Sequence, residues 1–385
     1  MSQRSAPSTR RQAGVGLIEV LVSIVIAMLL VLVIYQIYEI SEGQKRTITA
    51  GSDAQQNAAF GLYALTRDLA VAGNGIESAS AILQRCVTAN LALPASRTAE
   101  EAANGFPDPL RYLVPLPVII NAVADVNQPD EITIFYGGSS SLSTPVPLTS
   151  PQNPAYQVSA PLGFSPNDVI AAVLPATSKC TLSTIDAGGV AVDAAGIATI
   201  THTAFAGDPD AGYAVGASLI NLGPATAMGR VVYSVDLTTN SLRSQDQFTK
   251  TPPLTTATTP APLVSDVVNL KAQYGLDTDN DGVVDTWQDA TSGVWTAASL
   301  PTQPIATLKQ IRAVRVAIVT RSAQYEKDPI TAGNPPGMPD GQLGLFCDPA
   351  PTCVYTVTLS ADNQHYRYKI LETIVPLRNA LWNPS

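Results

Sequence analysis

Five aspartates fall within a short stretch at Asp277, Asp279, Asp281, Asp285 and Asp289. In Asp277-Thr278-Asp279-Asn280-Asp281-Gly282-Val283-Val284-Asp285 the first three acids alternate, so their side chains can converge on one point. Gly282, in sixth place, permits a sharp turn, and Val283, in seventh, offers a backbone carbonyl. Carboxylates this close repel one another unless a cation is present. Hard oxygen donors in this order suit a hard divalent ion, with Asp277, Asp279, Asp281 and Asp285 giving side-chain oxygens and Val283 its carbonyl. A second chemical oddity lies at the other end of the chain. Glu19 is the only charge in the twenty residues from Val15 to Ile34. An acid at the centre of a membrane span costs roughly 2.5–3.5 kcal/mol, so something must offset it.

The aspartate spacing resembles the first half of an EF-hand loop, and calcium is the expected ion. A crowded all-protein oxygen cage suits calcium better than magnesium. Twelfth place, where a bidentate Glu belongs, is Gln288, and Asp289 comes one place late. The flanks read as strands, so this is a calcium loop outside a helix–loop–helix setting. The alternative is a solvated Asp/Asn/Gly turn. Other chemistry is thin. His202 and His365 are the only histidines and read as structural; there is no G-x-S-x-G, Walker loop, H-E-x-x-H or C-x-x-C. The chain reads as non-enzymatic. Four cysteines allow three disulfide pairings. Cys347 and Cys353 bracket a turn-rich pentapeptide and are expected to bridge locally, which leaves Cys86 and Cys180 for each other; the alternative is four buried thiols.

These groups must be positioned by a long helix and a set of strands. No proline occurs from Val15 to Ala72, although the chain has 30. Ala58, Leu62, Leu65 and Leu69 recur at helical spacing, and Gly73-Asn74-Gly75 supplies a stop. One helix of about 57 residues, about 85 Å long at the helical rise, is the simplest reading. Two helices broken near Gly43 are the alternative. Beyond Ile76 the pattern changes to short apolar runs between Pro, Gly, Asn and Asp. Strands are expected at Val118 to Val123, Glu131 to Tyr136, Val169 to Leu174, Tyr213 to Leu222, Arg230 to Leu237, Leu263 to Tyr274, Ile311 to Arg321 and Tyr366 to Pro376. Residues 138–165, rich in Ser, Thr and Pro, read as a surface loop, and 77–129 as a long excursion with little strand. Consecutive strands with little helix between them favour an antiparallel sheet packed on the helix. The fold class is therefore α+β, a long N-terminal helix on an antiparallel β-sheet head with long loops.

The N-terminal residues resemble a known family. Gly14, then Leu17-Ile18 and Glu19 five places after the glycine, are similar to the class III leader of type IV pilins and pseudopilins. The resemblance implies cleavage after Gly14 by a prepilin peptidase, methylation of Val15 as the mature N-terminus, and Glu19 as the acid that meets a neighbouring subunit's N-terminal amine. Val15 and Gly16 depart from the Phe or Met and the Thr or Ser more usual there. Near the other end, Leu270-Lys271-Ala272-Gln273-Tyr274-Gly275-Leu276-Asp277, Arg312-Ala313-Val314-Arg315-Val316 and Tyr366-Arg367-Tyr368-Lys369 through Val375-Pro376-Leu377-Arg378-Asn379 resemble the PilW family of minor pilins. That resemblance implies a pilin-like fold and a minor pilin that joins other minor pilins, the major pilin and a tip adhesin to prime pilus assembly, supporting twitching motility and adhesion.

The expected organisation is a leader over 1–14, a helix over 15–73 (15–38 as membrane and filament core, 39–73 as spine of the head) and a β-rich head over 74–385. Arg4, Arg10 and Arg11 precede the apolar run, which holds that end in the cytoplasm. The expected location is the inner membrane, head periplasmic, and then the pilus. The net charge of −9 becomes −12 without the first fourteen residues. A surface that acidic repels nucleic acid. Two rivals remain at this stage. One is the larger minor pseudopilin of a type II secretion system. The other is a membrane-anchored periplasmic enzyme or binding protein that uses the aspartates as a metal site.

Overall fold

The computed structural model describes residues 16–75, 86–88, 112–113, 116–138, 144–152, 155–159, 162–174, 179–202, 213, 216–224, 226–247 and 260–381. Gly14, Val15 and the rest of the leader lie outside them. By their internal contacts the residues divide into two units, Met1–Ser52 and Asp53–Ser385.

Helix α1 runs unbroken from Leu17–Ala70, so the break considered near Gly43 is not there. The first unit holds its apolar part. The most apolar 18-residue window of the helix is long enough to cross a membrane, and none of it is buried.

In the second unit the predicted stripe is the buried one. Ala58, Leu65 and Leu69 are sealed from solvent, and Leu62 packs against the same core. They meet two sheets. One is five-stranded, in the order β13 (Ala261–Ser265), β12 (Ser241–Asp246), β11 (Gly229–Asp236), β4 (Glu131–Tyr136), β3 (Val118–Asn121). The other is four-stranded, β15 (Thr286–Gln288), β14 (Val267–Leu276), β16 (Ile311–Arg321), β19 (Tyr368–Pro376). Gly61 lets the helix approach: a Cβ there would lie 3.1 Å from Leu242 and 3.5 Å from Ile318. Polar ties fix the register. The Thr320 hydroxyl donates to Ala54 O at 2.8 Å, the Tyr233 hydroxyl to Asp68 at 2.7 Å, and Asn379 Nδ2 to Ala72 O at 2.9 Å. Gly73 and Gly75 take positive φ just past the helix, the predicted stop.

Strand β16 separates two cores. Val314, Val316 and Ile318 face the helix with Leu65 and Leu69. Ala317 and Val319 face the other way, under a hairpin of β17 (Gln342–Cys347) and β18 (Cys353–Thr358) carrying Leu343, Leu345, Phe346, Tyr355 and Val357. A third core belongs to an eight-stranded sheet, β2 (Tyr112–Leu113), β1 (Cys86–Thr88), β8 (Lys179–Val192), β7 (Asp168–Leu174), β10 (Ser218–Pro224), β5 (Val146–Gln152), β6 (Ala155–Val158), β9 (Ala198–His202). Within this sheet the described strand pairings are antiparallel except that of β1 with β8. The protein is α+β, as expected.

Three expectations need correction. Residues 138–165 are not simply a surface loop: β5 and β6 form a hairpin that buries Val146, Leu148, Tyr156 and Val158. The strand expected from Leu263 to Tyr274 is two strands, because Asp266 takes φ +62 and ends β13 before β14 begins. The strand expected from Tyr213 starts at Ser218. The excursion over 77–129 lies largely outside the described residues, which add to it the short β1 and β2.

Candidate functional site

The aspartate loop spans the gap between β14 and β15. Antiparallel pairing brings Leu276 opposite Thr286, so the residues between must turn back within a few positions. Gly275 makes room for Trp287, whose ring would be 2.8 Å from a Cβ at that position. Asn280 and Gly282 supply the positive φ the turn demands, at +64 and +90.

Asp277 is the anchor. Its side chain is wholly buried, accepts the backbone N–H groups of Asp281 at 3.1 Å and Gly282 at 3.0 Å, and is paired by Arg312 Nε at 3.0 Å. A buried carboxylate needs this saturation. Asp285 accepts both the hydroxyl and the N–H of Thr278 at 2.7 Å, and these two bonds hold its carboxyl below the ordinary carboxylate value. Carboxylate oxygens of Asp277, Asp279 and Asp285 lie within 4.8 Å of one another. Of the four side chains expected to converge, these three do. Asp281 accepts the Val283 N–H at 2.7 Å and stands outside the trio. Val283 is exposed. Asp289 is engaged elsewhere, accepting the hydroxyl of Tyr355 from β18 and the Thr291 N–H at 2.7 Å.

Sequence reasoning missed two supports of this loop. Arg312 enters from β16, which pairs with β14, and it offsets the charge of Asp277. Further back on β14, Lys271 forms a 2.8 Å ion pair with Asp130, just ahead of β4, and both side chains are almost wholly buried. Asp130 also accepts the Val123 and Ala272 N–H groups at 3.1 Å each. Burial outweighs the attraction of Lys271 and pushes the Asp130 carboxyl above its ordinary value. The sequence masks the pair, because Asn269, Lys271 and Gln273 alternate with apolar residues and read as a solvated strand face, whereas all three are buried.

The expected bridge between Cys347 and Cys353 is present, across opposed positions of β17 and β18. Cys180 is disulfide-bonded as well. The side chain of its expected partner, Cys86, lies outside the described residues, but β1 runs beside β8 with Val87 opposite Thr181, one step after each cysteine. His202 is buried against Tyr156, and His365 stacks on Tyr325; they lie in separate parts of the fold.

Glu19 sits in the first turn of α1, where an acid complements the helix N-terminus. Around it Leu17, Ile18, Val20 and Leu21 are exposed. An apolar surface of this kind on the described chain calls for lipid or for other subunits.

Comparison with known protein families places both ends. Residues 9–35 match the prokaryotic N-terminal methylation motif, which together with the apolar helix supports a pilin-class protein made with a prepilin leader. Residues 231–379, from β11 to just past β19, match the Type IV Pilus-assembly protein W family. The two matches support a PilW-like minor pilin of the type IV pilus, anchored in the inner membrane by its N-terminal helix and then incorporated into the pilus with other pilus components. The family is one of structural assembly proteins. No curated protein and no solved structure matches the chain.

Proposed function

We propose that this minor pilin works in the tip complex of the pilus, where it joins other minor pilins, the major pilin and a tip adhesin to prime assembly, and so supports twitching motility and adhesion. A prepilin peptidase cuts after Gly14 and the new Val15 amine is methylated. The observation that carries the reading is a single carboxylate, Glu19, in the first turn of an exposed apolar helix inside the stretch that matches the methylation motif. A neighbour's N-terminal amine is the cation that offsets it, and that pairing exists only in an assembly. Glu19→Ala and Glu19→Val should leave the chain in the membrane fraction while depleting it from sheared pili. Wild-type levels of the variants in pili would sink the assembly role.

The aspartate loop binds calcium in this reading. The donors fit: three carboxylates converge and all ligands are hard oxygens. Asp279 and Asp285, which are exposed, would complete the site with Asp277 and the Val283 carbonyl; Asp281 needs a side-chain rotation to contribute. The ion would supply charge compensation that ties β14 to β15. Calcium should raise the thermal midpoint and EGTA lower it, with Asp279→Asn abolishing the difference. An unchanged midpoint refutes the calcium site and leaves the assembly role untouched.

A further inference from the structure

Between the four-stranded sheet and the β17–β18 hairpin lies a cavity of about 370 Å³, within the range of about 300–1,000 Å³ usual for ligand pockets. Part of the lining is aliphatic, with Val319, Leu343 and Val357 all buried. Asn240, Asn363 and Arg321 add polar groups to it. Among the described residues Arg321 is the only charged side chain that lines it. Its guanidinium lies 4.3 Å from the Tyr366 ring centroid, and Nη1 donates to Asn363 Oδ1 at 3.4 Å. Among the described residues no carboxylate pairs with it, although the chain carries a net charge of −9.

A guanidinium held over an aromatic ring is a pre-organised fork that can match a carboxylate in two hydrogen bonds. No acid in the lining competes for it. The adjacent aliphatic wall requires that the carboxylate come attached to an apolar group. The amide of Asn240 offers a donor and an acceptor, the pair a peptide group needs, and Asn363, whose Oδ1 already accepts from Arg321, adds its Nδ2 donor. A sugar acid fits less well, because hydroxyls pressed against Val319, Leu343 and Val357 would lose hydrogen bonds to water without replacing them. We propose that this cavity captures the C-terminal carboxylate of a partner polypeptide that ends in an aliphatic residue. The carboxylate rests on Arg321, the last peptide group on the amides and the last side chain on the aliphatic wall.

Calorimetric titration of the full-length chain in detergent micelles tests this with three probes. These are N-acetyl-alanyl-leucine with a free carboxylate, the same dipeptide as its C-terminal amide, and galacturonate. The free acid should bind at least tenfold more tightly than the amide. Arg321→Gln should remove that preference without moving the thermal midpoint. Thr358→Trp, from the exposed edge of the cavity, should block binding by filling it. Equal binding of acid and amide, no saturable binding of the acid, or a preference that survives Arg321→Gln or Thr358→Trp overturns the proposal. Tighter binding of galacturonate than of the dipeptide acid overturns the peptide as occupant.

Discussion

Replacing Lys271 by methionine measures what the most deeply buried ion pair among the described residues contributes. Lys271 and Asp130 are 2% and 1% exposed in their side chains and 2.8 Å apart. Methionine keeps most of the apolar stem but removes the ammonium, leaving Asp130 with only the Val123 and Ala272 N–H groups. Breaking a buried pair by removing one partner costs about 3–5 kcal/mol, since a charge is left uncompensated away from water. Asp130→Asn with Lys271→Met removes both charges, so the double variant should recover about 2 kcal/mol relative to the sum of the singles. The pH dependence follows from the sign. The Asp130 carboxyl already titrates above its unfolded value of about 3.9, and loss of Lys271 raises it further. A carboxyl raised on folding stabilises the protein at low pH, and that contribution is lost as pH rises through the folded value. The Lys271→Met penalty is therefore smaller at about pH 5 than at about pH 8. Urea unfolding followed by tryptophan fluorescence reads both. A penalty below about 1 kcal/mol, or one independent of pH, would refute the reasoning.

Three further outcomes can be checked on the same material. Burial pushes the phenols of Tyr136 and Tyr368 up to about 12. Unfolded tyrosines ionise near about 10, so the urea midpoint should fall as pH climbs from about 10 towards 12, with an increment of phenolate absorbance at 295 nm accompanying unfolding. Gly61→Leu should cost about 1–3 kcal/mol by forcing helix and sheet apart at Leu242 and Ile318, whereas Gly61→Ala should be nearly neutral, its better helix propensity offsetting a contact with flexible side-chain ends. Cys347→Ser with Cys353→Ser should cost about 2 kcal/mol and speed amide hydrogen exchange across Gln342–Cys347 and Cys353–Thr358 before other strands.

What could be read from residues alone followed the strength of the local pattern. The stripe of Ala58, Leu65 and Leu69 and the alternation of Val314, Val316 and Ile318 are each dictated by one buried face, so both elements were visible. The β5–β6 hairpin was hidden by Pro147 and Pro151, which usually demote a strand. Both prolines nonetheless hold paired positions, Pro147 opposite Ser218 and Pro151 opposite Tyr156. Strand β8 was missed because Thr181 and Ser183, both buried, carry no apolar signal. At the break, Asp266 accepts from the amide of Asn57 of α1 at 3.4 Å, across more than two hundred residues. At the candidate metal loop the alternating acids were legible, but the engagement of Asp289 by Tyr355 and of Asp277 by Arg312 is tertiary. No local rule reaches either.

The ties that seat α1 on its sheets also set a timetable. Ala54 is bound by Thr320, 266 residues later, and Val71 by Asn379, 308 residues later. At about 5–20 residues per second, a ribosome needs roughly 13–50 s to deliver Thr320 after Ala54. Throughout that interval Leu65 and Leu69 have no cover from β16, and β14 has no β16 beside it. Contacts this remote in sequence form slowly once available. Tethering the early helix in a bilayer while the late strands arrive keeps half-made copies dilute and apart, so the anchor also serves the chain as a folding station before it serves the filament.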